Sequence, residues 1–303
     1  MRICSLLPSI TEILFELGLG DDVVGVTHEC DWPVQAKSRV KLTRNRIWEA
    51  NLSSSEIDEQ VRRQVGSLYE LDAVALANLR PDLILTQSLC PVCAVDESEV
   101  RSVAATLPGS PAVVSFRPTC LNEILDSIEQ IGRLTGAGAA SHKLQTRFYS
   151  VIGQVQTALH ELANRPRVAV LEWTNPPFAC GHWTPELVSL AGGNEMLGRT
   201  GQPSRRVAWQ DLWLADPEVL LIAPCGFTMD RAMQDIPVLE QQTGWKNLAA
   251  TRSNRVFVTD GSAYFNRPGP RIMDSLQILA SVIHPEMFEG LSLSHCVQRF
   301  SAF

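Results

Sequence analysis

Residues 90–93 read Cys-Pro-Val-Cys, two thiols two residues apart in a loop entered from the apolar run Leu83 to Thr86. That spacing admits three chemistries. A thiol at a strand-to-helix junction can be held as thiolate and pair with its neighbour in redox work. It can supply half of a metal site, or it can line a pocket. No second C-x-x-C and no H-x-x-x-H accompanies the pair, and His28-Glu29-Cys30-Asp31-Trp32 is not the H-E-x-x-H of a zinc protease. His28 with Cys30, and Cys180 with His182, each set an imidazole and a thiol two apart, so His28, Cys90, Cys93 and His182 are the candidate metal donors. Thiols lining a cleft fit this loop best.

Other chemistry gathers in the loops that follow apolar runs. These loops carry His28 and Trp32, then Arg46 and Trp48, Cys90 and Cys93, Arg117, Trp173, Phe178, His182 and Trp183, Phe227, and finally Tyr264, Phe265 and Arg267. The stretch TNPPFACGHW (174–183) combines two prolines with Phe178, His182 and Trp183. Such a loop is stiff and offers large flat faces to a wide, mostly apolar ligand. Arg44, Arg46, Arg117 and Arg267 have the fork geometry that clamps carboxylates or phosphates. No G-x-S-x-G elbow, Walker loop or G-x-G-x-x-G after a strand occurs, so no catalytic residue is assigned.

These loops need strands and helices to aim them. Ile3 to Leu7 reads as a strand, and Ser9 with Glu12 reads as a capping box opening a helix with Ile10, Ile13, Leu14 and Leu17 on its apolar face, closed by Gly18. Strands follow at Val23 to Thr27, Leu83 to Thr86 and Ala112 to Phe116, with helices near 53, 72–79 and 120–134. Leu144, Phe148, Val151, Val155, Leu159 and Leu162 recur every three or four residues, the mark of one long helix in mid-chain. The pattern then restarts, with strands at 168–172, 219–223 and 256–259, helices at 185–191 and from about Met229, and a closing helix at 272–283. ALANLRPDLILTQSLC (75–90) and DLWLADPEVLLIAPCG (211–226) echo one another, which points to a repeated module. The expected architecture is α/β, with an N-terminal lobe over 1–137, a bridging helix over 138–165 and a C-terminal lobe over 166–303. In open α/β sheets the ligand lies outside the carboxyl ends of the strands, where the loops named above sit.

Composition removes several classes of partner. The 303 residues are 45% hydrophobic and carry a net charge of −7, with no basic run interleaved with aromatics. Nucleic acid and anionic membrane surfaces are therefore not expected as partners. No secretory leader and no span-length apolar stretch is visible, which points to the cytosol, or to the periplasm if a leader has been removed. Eight cysteines at irregular spacing do not form the dense framework of a small secreted domain.

The order LLPSITEILFELGLGDDVVGV, THECDWP, LRPDLIL, TNPPFACGHWTPELVSLAGGNEML and DGSAYFNRPGPRI, over roughly residues 2 to 285, resembles the cobalamin-binding members of the periplasmic binding protein family. These are substrate-binding proteins of the helical-backbone metal receptor type, serving ABC importers of corrinoids, haem and other metal chelates. The resemblance implies a class III fold of two Rossmann-like lobes with mainly parallel sheets, joined by a long rigid helix, with the ligand clasped between them. It puts Trp32, Phe178 and Tyr264 at the positions where the family meets its ligand. It also implies an ABC permease as partner, against which the missing leader stands. The expectation is a non-catalytic binder of a cobalamin-like corrinoid or another metal chelate. Two alternatives stay open: a cytosolic enzyme, redox or corrinoid-modifying, that uses Cys90 and Cys93, and a ligand-sensing adaptor.

Overall fold

The computed structural model describes all residues except 47–51, 65, 89–93, 163, 290–294 and 301–303. Trp48, Cys90 and Cys93 lie outside the described residues, and with them the three-way question over the thiol pair. The chain forms two compact units: one holds Met1–Leu52, Glu56–Pro118 and Asn122–Thr146, the other Ser53–Ser55, Thr119–Leu121 and Arg147–Phe303.

In the first unit the chain runs β1 (Ile3–Ser5), α1 (Pro8–Glu16), β2 (Val23–Val26), β3 (Val40–Lys41) and β4 (Thr43–Asn45), then α2 (Ser54–Arg63), whose first residues count with the second unit. It continues through β5 (Tyr69–Leu71), α3 (Ala73–Leu79), β6 (Leu83–Gln87), α4 (Glu97–Ala104), β7 (Ala112–Phe116) and α5 (Leu121–Thr135). The main sheet has the order β3-β2-β1-β6-β7 with parallel pairing throughout, and β4 and β5 form a separate antiparallel pair. β6 is buried at all five positions, as a parallel strand covered on both faces must be. Cys4, Leu6, Leu42, Leu76, Ile84 and Val100 form the core beside it.

Proline at the first helical position starts α1, with Leu7 as an extended N-cap and no side-chain cap. The Ser9/Glu12 capping box expected from the sequence does not form, because both residues lie buried inside the helix, past the cap. Gly18 ends the helix region at φ +79°, a left-handed conformation that glycine adopts without strain.

The mid-chain helix α6 (Gly138–Ala158) buries Leu144, Phe148 and Val155, three of the predicted stripe. Its residues up to Thr146 cluster with the first unit and the rest with the second. Its helical residues end at Ala158, short of the 165 expected from the sequence. Near its end the pattern tightens from Leu159 N–H on the Val155 carbonyl to i→i+3 bonds at His160 and Leu162, which close the helix in a turn.

The second unit follows with β8 (Arg167–Trp173), β9 (Phe178–Ala179), α7 (Thr184–Leu190), β10 (Asn194–Glu195), β11 (Arg205–Arg206), α8 (Trp209–Ala215) and β12 (Val219–Ile222). It ends with α9 (Met229–Met233), α10 (Ile236–Glu240), α11 (Ala249–Arg252), β13 (Val256–Thr259), α12 (Ile272–Ile283) and β14 (Val297–Phe300). Its sheet runs β11-β9-β8-β12-β13-β14, with β10 also on β8. The β8-β12-β13 centre is parallel, while β9 and β14 pair antiparallel at its sides.

The internal echo has a structural counterpart. α3 ends at Arg80 (φ 45°) and α8 at Asp216 (φ 38°), each a left-handed C-cap followed by proline. The strand after each, β6 or β12, then pairs parallel with the first strand of its sheet in chain order, β1 or β8.

Candidate functional site

In the first unit, the carboxyl end of β2 feeds the His28 loop. Thr27 Oγ1 and His28 Nδ1 both lie 2.7 Å from Thr43 Oγ1, and His28 Nε2 lies 3.0 Å from a Glu29 carboxylate oxygen. The imidazole ring also sits 5.2 Å from the Tyr69 ring. Cys30 is buried and turns elsewhere, its Sγ 3.0 Å from Thr11 Oγ1, which donates to Ser5 Oγ at 2.8 Å. His28 and Cys30 are thus two separate hydrogen-bonded positions, and their two-residue spacing does not make one donor set. Trp32 is 52% exposed. Arg46 and Arg117 are exposed, the latter directly after β7, while Arg44 is engaged bidentately by Glu70 at 2.9 and 2.5 Å.

In the second unit, β8 delivers Glu172, Trp173 and Thr174 to its carboxyl edge. Register pairs Trp173 with Phe178 across the antiparallel β8–β9 ladder, so these aromatics are cross-strand neighbours. Phe227, from the loop after β12, is buried and packs on Trp173 with ring centroids 4.8 Å apart at 49°. The guanidinium of Arg231 lies 4.2 Å from the Phe227 centroid, a cation–π contact. It also donates to Asp235 at 2.8 Å. Asp235, buried, accepts from Thr174 Oγ1 at 2.5 Å, and the Trp173 indole N–H donates to the Ser54 carbonyl at 3.1 Å. The result is a fixed aromatic edge backed by one anchored cation. Arg231 is not among the arginines that the sequence singles out, where Arg231 and Asp235 have only the i,i+4 spacing of an ordinary helix-surface pair.

The other predicted residues of this unit divide by burial. Phe178 is half-buried under Arg206, whose guanidinium is 5.8 Å from the ring. Trp183 and Phe265 are core residues, the indole N–H donating to the Phe265 carbonyl at 2.9 Å. His182 takes φ 51°, bonds its amide to the Gln202 carbonyl at 2.7 Å and stacks on Trp183 at 5.6 Å. Tyr264 is half-buried with its hydroxyl 2.9 Å from Cys296 Sγ. Arg267 is buried and donates to Ser262 Oγ at 3.1 Å.

Beneath the 174–183 loop lies a pair of carboxylates that no motif announced. Glu172 accepts from the Gly181 amide at 3.3 Å and from the Ser204 hydroxyl. Glu195 accepts from the amides of Leu197 and Gly198 at 2.9 Å each and of Val170 at 3.2 Å. Burial pushes both carboxyls up to about 7, outweighing the bonds that favour ionisation. Burial, then the charges of Glu195 and Glu172, pushes the Cys180 thiol well up. A cavity of about 340 Å³ opens beside Glu195, shared with Arg165, Ser189, Asn194 and Thr200. Among the described residues no group of three His, Cys, Asp or Glu side chains is placed to hold a metal ion, and no helix is long and apolar enough to cross a membrane.

Comparisons with known proteins bear on this geometry. The sequence profile of the periplasmic binding protein family matches residues 3–263. An uncharacterized ABC transporter substrate-binding lipoprotein of Bacillus subtilis is 24% identical over 294 residues, covering 95% of this chain and 81% of that protein. The vitamin B12-binding protein of Vibrio cholerae is 24% identical over 280 residues, covering 91% of this chain and 86% of its own length. Among solved structures, the heme-binding protein RhuT of Roseiflexus sp. RS-1 superposes with a TM-score of 0.71 at 20% identity, over 94% of this chain and 98% of that one. The B12-binding protein BtuF of Vibrio cholerae does so at 0.65 and 19%, over 96% and 98%. The two-unit α/β fold is thus that of class III substrate-binding proteins. The cytosolic location expected from the sequence finds no support here, since these relatives are described as periplasmic or as a lipoprotein.

Proposed function

Because the chain belongs to the periplasmic binding protein family, we propose that it captures a corrinoid of the cobalamin type and presents it to an ABC importer, without turnover. That role is carried out on the outer side of the membrane, where importers of this kind collect their substrates. The observation that carries the reading is the half-buried aromatic edge of Trp173 and Phe178, backed by the buried Phe227 ring with Arg231 anchored on it. A wide, flat ligand with a few polar groups needs this combination of stiff apolar faces and a placed cation.

Corrinoid is favoured over haem by the state of the donors. Haem iron is held by an axial His, Cys, Met or Tyr. His28 Nδ1 is engaged by Thr43, its Nε2 faces the neighbouring Glu29 carboxylate at 3.0 Å, and the Tyr264 hydroxyl is engaged by Cys296. Burial, reinforced by Cys296, also pushes the Tyr264 phenol up, away from the phenolate a metal would need. A cobalamin carries its axial ligands with it and asks for none.

Calorimetric titration with cyanocobalamin tests the proposal. The expected result is one site per chain, weakened about 30-fold in Trp173→Ala or Phe178→Ala, the effect of truncating an aromatic anchor worth about 2 kcal/mol. Absence of binding, or binding indifferent to both substitutions, refutes it.

A further inference from the structure

Tyr264 stands in the loop between β13 and α12, and the loop backbone is fixed independently of its side chain. The Tyr264 amide donates to the Asp260 carbonyl at 3.1 Å, and its carbonyl accepts from the Arg267 amide at 3.2 Å. The ring is steered from two other sides. Arg271 places its guanidinium 5.9 Å from the ring centroid, and the hydroxyl meets Cys296 Sγ at 2.9 Å.

Cys296 is brought there by the C-terminal strand. β14 pairs antiparallel with β13, from Val256↔Phe300 to Thr259↔Val297. Directly before it, the Cys296 carbonyl accepts the Thr259 hydroxyl at 2.6 Å, and the residue is only 4% exposed. This strand lies beyond residue 263, where the family match stops. Both the thiol and Tyr264 thus lie outside that match, and the strand brings the thiol to the Tyr264 hydroxyl.

We infer that Cys296 is a positioning residue: the C-terminal strand uses its thiol to hold the Tyr264 ring in the orientation in which it meets the ligand. The inference rests on the corrinoid-binding reading above. A ring fixed beforehand loses less rotamer freedom on binding than one that must be ordered by the ligand. Removing the thiol leaves the loop hydrogen bonds in place and releases the ring alone.

The test uses the full chain and the variants Cys296→Ala, Cys296→Ser, Tyr264→Phe and the Cys296→Ala/Tyr264→Phe double. The two single losses are each expected to weaken cyanocobalamin binding about 3- to 10-fold, the scale of one net hydrogen bond. The double should cost no more than either single, since both remove the same contact. Cys296→Ser should stay near wild type. A second readout needs no ligand: acetylation of Tyr264 by N-acetylimidazole, mapped by peptide mass, should rise in Cys296→Ala and stay low in Cys296→Ser. If Trp173→Ala loses affinity while Cys296→Ala does not, the inference falls and the binding reading stands. Equal acetylation in wild type and Cys296→Ala overturns it whether or not any corrinoid binds.

Discussion

Glu172 and Glu195 make the stability of the second unit depend on pH in the direction opposite to ordinary salt-bridged acids. Burial raises each from 4.5 to about 7, so between those values the folded chain holds protons that the unfolded chain has released. Stability is therefore highest below pH 4.5 as far as these groups are concerned, falls as pH rises through the window, and levels off above about 7. A tenfold change in proton affinity on folding is worth about 1.4 kcal/mol, which sets a ceiling of about 3 kcal/mol per carboxylate. Both residues keep some accessible surface, so about half of that is expected. His284 acts the other way, since burial lowers its imidazole and stability is lost as pH falls through its range. The difference between wild type and Glu195→Gln cancels that contribution. The assay is urea unfolding at pH 5, 6, 7 and 8, followed by tryptophan fluorescence, which reports mainly on the second unit because five of the seven tryptophans lie in it (Trp173, Trp183, Trp209, Trp213 and Trp245). Glutamine turns an NH₂ toward backbone amides that need an acceptor, a constant penalty at every pH. The gap between the two proteins should nevertheless change by about 1 to 2 kcal/mol in favour of Glu195→Gln from pH 5 to pH 8. A gap independent of pH would refute the reasoning.

Asp235→Ala strips the partner from Arg231 and from the Thr174 hydroxyl together; loss of about 3 kcal/mol is expected from urea midpoints, with weaker ligand binding as the Phe227 edge loosens. At Gly181 a Cβ would meet the Gln202 carbonyl oxygen at 2.5 Å and the Pro203 carbonyl carbon at 2.6 Å, both backbone. Gly181→Ala should therefore lower the thermal midpoint and displace the His182–Gln202 bond, seen as faster exchange of the His182 amide. Trp183→Phe leaves the buried Phe265 carbonyl without its indole donor, and about 1 to 2 kcal/mol of stability should go with it, read from the same urea curves.

Much of the fold was legible because it rests on local pattern. β13 and α12 match their sequence ranges residue for residue, since an apolar run of strand length and a strong 3.6-residue stripe each have one reading. The echo between 75–90 and 211–226 reported a shared helix, left-handed cap and strand. The site was legible to a smaller degree. Loop residues have no periodicity to tell face from core, so Trp183 and Phe265 read like Trp173 and Phe178 although the first two are buried. Arg231 matters because it lies over Phe227 and ties to Asp235, a packing fact invisible in its helix spacing. Glu172 and Glu195 look like outward-facing strand residues until their amide partners are seen. β14 and its link to Tyr264 depend on pairing between residues about 40 apart in sequence, which no local pattern encodes.

The central claim is that this binding protein takes a corrinoid on the Trp173 edge. Equilibrium dialysis of the full chain against equimolar cyanocobalamin and hemin tests it most directly. Cyanocobalamin retained at one per chain, with hemin passing through and with retention lost in Trp173→Ala, is the predicted result. Retention of hemin in preference to cyanocobalamin, or of neither, would contradict it.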